Sequence, residues 1–294
     1  LNLISGRLLG RPKPEGSNMQ LKKKSIKGMT LALLMLIAAM AGCIGTEDET
    51  SDGAEEEKPA FLDASDAGYT YASDVDNHRS LMQDLCDIKT AASDSNWDEA
   101  KNIYTNGKNA QKSDGSYRTL AGFAAASGKN HNYDSFYGQD GAIGAHIMAA
   151  MDGTGDFTGA SDTVRYQGIA KLTANMGMVG YTIHELNAAV AKADAGNTDN
   201  DSGAPHNWDE GWAFFHGPDE HWSCSPAYTM KKRAADYGTE TNGVSNALAA
   251  SEQAMVDGLA ALQAGDKAGY DAATETVIKN IIITYSQATL KYTM

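Results

Sequence analysis

Between residues 61 and 294 the apolar positions recur at three- and four-residue spacing within Ala-rich segments. No run of alternating β-branched residues stands out, so the pattern predicts an all-α fold. A first helix is expected over 75–92, where Leu81, Met82, Leu85 and Ile88 form one stripe. Asp94 or Ser95 would cap a second, running from Trp97 to the Asn106-Gly107 stop. Shorter helices are expected over 117–126 and 135–151, and the longest over 161–194, with Ile169, Leu172, Met176, Ile183, Leu186 and Val190 on its apolar face. Gly177 and Gly180 are points where that helix would kink or pack closely. Two last helices, over 244–265 and 266–289, would meet at the Gly265-Asp266 corner. Asn96-Trp97-Asp98-Glu99-Ala100 and Asn207-Trp208-Asp209-Glu210-Gly211 echo one another, each opening a helix after a polar loop. The expected architecture is therefore a single-domain multi-helix bundle of helical hairpins.

The first sixty residues follow a different pattern. From Met19 a basic stretch (Lys22, Lys23, Lys24, Lys27) precedes an apolar run from Met29 to Ala41, too short to span a bilayer comfortably, and then Gly42 and Cys43. This reads as a secretory signal beginning at Met19, so that 1–42 comprises upstream residues and the signal, and Met40-Ala41-Gly42-Cys43 reads as a lipobox whose cysteine carries a lipid anchor. From Gly45 to Pro59 the chain is mostly Glu, Asp, Ser, Thr and Gly with almost nothing apolar, and residues 43–60 are expected to form a disordered tether between the membrane and a domain over 61–294. The chain carries 24 Lys+Arg against 38 Asp+Glu, net charge -14. Without residues 1–42 it would hold 252 residues and a net charge of -20, which argues against nucleic acid as a partner and permits a cationic one. With Cys43 lipidated, Cys86 and Cys224 remain as a pair, to be bridged or to stay two buried thiols; the bridge is the expectation.

Candidate chemistry lies in the second half. Tyr181, His184 and Glu185, at i, i+3 and i+4 on the long helix, share one face and can offer ligands to a metal. The zinc-peptidase motif is excluded, because Ala188 stands where its second histidine belongs. In the stretch from Pro205 to Gly217, a helix from about Trp208 would place Asp209 and His216 two turns apart on one face, Glu210 beside them and His206 just before. Carboxylates and imidazoles between Trp208, Trp212, Phe214 and Phe215 suit iron, manganese or zinc better than calcium. A calcium loop counted from Asp199 fails at its sixth position, Ala204. No phosphate-binding loop or serine-esterase elbow occurs.

A resemblance adds to this. Asn96-Trp97-Asp98-Glu99-Ala100 through Ile103-Tyr104-Thr105-Asn106-Gly107-Lys108-Asn109, then Lys112-Ser113, Arg118-Thr119-Leu120, Gly122-Phe123-Ala124, Trp208 to Phe214, and Lys232-Arg233 through Tyr237-Gly238-Thr239 resemble, in the same order, the algal FEA family of iron-assimilatory, high-CO2-inducible periplasmic proteins. The prokaryotic lipoprotein branch of that family is the nearest fit to Cys43. The resemblance implies an extracytoplasmic iron-binding protein assisting uptake, with a transporter or reductase as partner, and carries over no residue-level ligands. The expected ligands, from the residues themselves, are Tyr181, His184, Glu185, His206, Asp209, Glu210 and His216, for Fe2+ or Fe3+. The other readings are an extracellular metal-dependent helical hydrolase, with catalysis the less favoured, and a metal-free surface module.

Overall fold

Leu81, Met82, Leu85 and Ile88 are all fully buried, and the helix that carries them sets the frame of the molecule. The computed structural model describes residues 66–126 and 132–293. The expected signal segment, Cys43 and the tether lie outside those residues. The described chain is almost entirely helical, as expected. Helices α1 (Asp76–Ser93) and α2 (Trp97–Asn106) fall where the periodicity puts them. The cap of α2 is Asn96, whose side chain accepts the Glu99 N–H, because Ser95 sits at φ 56 within the turn.

The expected 117–126 helix is shorter, α3 (Leu120–Ala125), since Tyr117 is taken into an isolated bridge with Gln111. The segment over 135–151 divides into α4 (Asn132–Tyr137) and α5 (Ala142–Asp152). Gly138 and Gly141 adopt positive φ there, and the Asp134 carboxylate accepts the Gly141 and Ile143 N–H groups, closing the corner between them. The long helix is present as α6 (Asp162–Lys171) and α7 (Met178–Asp194), joined by a π-helical turn, Leu172–Gly177, in place of a simple kink.

Helix α8 (Ala204–Phe215) starts a turn earlier than expected, with Pro205 in its first turn. Helix α9 (Pro226–Tyr237) is an addition to the sequence reading; Ser225 caps it by accepting the Tyr228 N–H. Glu240–Thr241 (β1) and Val244–Ser245 (β2) form a small antiparallel hairpin around Asn242-Gly243, both at positive φ. It leads into α10 (Asn246–Ala264), which Gly265 at φ 66 turns into α11 (Lys267–Thr293).

Two hydrophobic cores share α7 and α8. One is mainly aliphatic and joins α1, α2, α5 and α6, with Met178, Tyr181 and Phe214 as its contributions from the shared helices. The other is richer in aromatics and joins α8, α10 and α11 around Trp208, Trp212 and Phe215. Trp208 donates its indole N–H to the Met255 carbonyl at 2.8 Å, and packs so closely on Gly258 that an added Cβ would lie 2.2 Å from its ring. A disulfide, Cys86 to Cys224, ties α1 to the short 3-10 turn before α9. No described helix is long and apolar enough to cross a membrane.

Candidate metal centre

Helix α8 lies between the two cores, so successive residues on it face different surroundings. Glu210 points toward α1 and α7. Its Oε1 stands 3.0 Å from His78 Nε2 and 3.3 Å from His206 Nε2, one turn earlier on α8. Asn207 donates through Nδ2 to Glu185 Oε2 at 2.6 Å and, more weakly, to Glu210 Oε2 at 3.4 Å. Glu185 and Glu210 are thus reached by one amide, which sets two carboxyls side by side in the cluster. His184 adds a further imidazole, with Nε2 3.9 Å from Glu185 Oε1. The Arg118 guanidinium is near enough to act on both carboxylates as a fixed cation.

The electrostatics follow from this packing. Burial raises the Glu210 carboxyl, but the hydrogen bonds from His206 and His78, together with the charge of His78, more than offset it and hold the group below the usual range. The hydrogen bond to Glu210 lifts His206 above 6.5, whereas burial takes His78 below it. His206 Nδ1 lies 2.9 Å from Ser73 Oγ, which itself donates to Asp209 Oδ2 at 3.0 Å. With its proton committed to Asp209, the Ser73 hydroxyl accepts from His206 Nδ1, and so leaves Nε2 as the exchangeable nitrogen facing Glu210.

Other expected ligands have different surroundings. Asp209 is fully buried and accepts from the Tyr69 hydroxyl, the Ala72 and Ser73 N–H groups and the Ser73 hydroxyl. Burial without an adjacent cation pushes its carboxyl up to about 6 despite these donors. His216 stacks against Trp212 (rings 5.1 Å apart, 2° between planes) and Trp222, with Nδ1 2.8 Å from the Gly217 carbonyl. The Tyr181 hydroxyl donates to the Phe123 carbonyl at 2.7 Å. The structure thus gathers His184, Glu185, His206 and Glu210, and gives Tyr181, Asp209 and His216 other hydrogen-bond or stacking partners.

Three members of the cluster escaped the sequence reading: His78, Arg118 and Asn207. His78 had a usable signal, because it lies three residues before Leu81 and seven before Leu85, on the buried stripe of α1. Among the described residues no three His, Cys, Asp or Glu side chains stand ready around a common point for a metal. The donors are instead turned on each other, with both imidazole Nε2 atoms directed at the same oxygen of Glu210.

A family model described as low iron-inducible periplasmic protein, Fea1, matches residues 60–294. No curated protein and no solved structure matches the chain.

Proposed function

From the premise that the chain belongs to the Fea1 family of low iron-inducible periplasmic proteins, we propose that it binds iron outside the cytoplasmic membrane and assists its uptake. The observation that carries this reading is the cluster at the meeting of α1, α7 and α8, where two carboxyls meet on one amide and two imidazoles close on one carboxylate oxygen. In the metal-free chain protons and Arg118 supply the positive charge that a cation would bring. Iron entry would exchange those protons for metal, with His78 and His206 rotating off Glu210 to present Nε2 and the two carboxylates turning inward. The ligand set is then His78, His206, Glu185 and Glu210, with His184 at its edge. Mixed imidazole and carboxylate donors suit Fe(II), and Tyr181, engaged with Phe123, lends no phenolate for Fe(III).

Asp209 belongs to the same machinery as a positioning residue: through Ser73 it sets the tautomer and orientation of His206, as carboxylates behind metal-bound histidines do. The proposal extends to the N-terminal region, with Cys43 lipidated and residues 43–60 tethering the domain to the membrane near a transporter or reductase. Labelling with a radioactive fatty acid, lost together with membrane association in Cys43→Ser, tests the anchor.

The site is tested by elemental analysis of protein purified without chelators, followed by anaerobic titration with Fe(II), Fe(III), Zn(II) and Mn(II). Stoichiometric Fe(II) uptake, abolished by Glu185→Gln with Glu210→Gln, supports the reading. No titratable uptake of any metal leaves the acids and imidazoles as a packing network and favours a metal-free module.

A further inference from the structure

On another face of the molecule a cleft of about 240 Å³ opens between α1, α6, α9, α11 and the 3-10 turn. Its lining includes Lys89, Lys171, Lys232 and Arg233 and no Asp or Glu, in a chain whose acids outnumber its bases 38 to 24. Tyr228 and Tyr292 add hydroxyls. Like charges gathered this way repel, and an isolated patch of one sign inside an oppositely charged protein needs a counter-charge.

The side chains of the cleft supply little of it. Arg233 is 6% exposed and reaches Asp236 through Nη2 at 2.9 Å, while its Nε is buried with no hydrogen-bond partner among the described residues. Lys171 donates to the neutral Tyr292 hydroxyl at 2.6 Å, and Lys232 sits over the Tyr228 ring. Lys89 has no acid partner among the described residues; burial, and then the charges of Lys232 and Lys171, hold its amine below the ordinary lysine value. The cleft therefore brings Arg233, with one N–H unsatisfied, into one lining with three lysines, whose ammonium groups can donate to an oxygen-rich anion.

We propose that this cleft binds a small multivalent oxyanion, either a phosphate or a compact di- or tricarboxylate, between Lys89, Lys171, Lys232 and Arg233. A cleft of about 240 Å³ has room for a ligand of that size. The site stands independently of the iron reading, because none of its residues belongs to the cluster around Glu210.

The experiment is calorimetric titration of the metal-free protein at low ionic strength with inorganic phosphate and, separately, with citrate. Saturable 1:1 binding of either is expected, weakened at least tenfold in the Lys89→Gln, Lys171→Gln double variant and unchanged in Lys112→Gln, an exposed control. Binding of only one of the two identifies the source of the oxyanion. Because near-native melting of the double variant is needed for that comparison, Tyr292→Phe serves as a milder second variant, with an expected loss of about threefold. Absence of saturable binding for both anions, or equal affinity in wild type and double variant, overturns the proposal without bearing on iron.

Discussion

Asp209 and Glu210 are consecutive, equally acidic residues of one helix, the first fully buried and the second 13% exposed, and their surroundings divide them further. Asp209 is closed by four fixed donors, two of them backbone N–H groups of the segment before α1, and no cation touches it. Glu210 faces two imidazoles and a second carboxyl, able to exchange protons or partners, and an arginine whose charge is fixed. The first arrangement fastens a chain segment and, through Ser73, orients His206; the second is the one we propose to take up a cation. Burial alone therefore does not mark a functional carboxylate, and what distinguishes one is the chemistry of the donors around it.

The contrast can be broken first at its structural end. Asp209→Ala leaves four donors without their acceptor, and the expected loss is about 3–5 kcal/mol of folding stability, read by urea denaturation. Glu210→Gln is expected to do the reverse, costing about 1 kcal/mol or less of stability in the same assay while lowering Fe(II) affinity about 100-fold in anaerobic titration. A stability loss as large as that of Asp209→Ala would erase the distinction. Ser73→Ala severs the bridge between the two carboxylates, and the expected cost is about tenfold in Fe(II) affinity with melting close to wild type.

Acid sharpens the comparison on the Glu210 side. His206 is raised above 6.5 by Glu210, so the stability that their pairing adds to the metal-free protein is fully present below about 6.5 and is lost as pH rises through the folded value. Metal must displace that proton, so Fe(II) affinity is expected to climb across the same window, in a pH series of titrations. The smallest effect belongs to His216→Gln, whose ring is held by Trp212 and Trp222; Fe(II) affinity should stay within about twofold of wild type.

The sequence reading recovered α1, α2, α10 and α11 within a few residues, since long amphipathic stripes and glycine stops are local signals. Helix α9 was missed because the basic run Lys231-Lys232-Arg233 disguises a buried face made by Ala227, Met230 and Ala234, to which Arg233 itself belongs. The π turn is invisible to a 3.6-residue template, although Gly177 marks its end. Within the site, the acids and histidines of α7 and α8 were legible as two clusters on separate helices, while their meeting was not. The part played by α1 depends on a contact 132 residues distant, between His78 and Glu210, which no local pattern encodes. Asp209 and Glu210 look alike in the sequence, and only the packing of the Tyr69 to Ser73 segment separates their roles.

The bond between Cys86 and Cys224 closes a loop with a sequence separation of 138. By the chain-entropy account such a link lowers the conformational freedom of the unfolded chain by about 5 kcal/mol near room temperature. That contribution is missing wherever thiols are kept reduced. Newly made chain in a reducing interior would therefore be the looser form, easier to keep unfolded for transport, and oxidation on arrival would set the fold in place, so that maturation is timed by location.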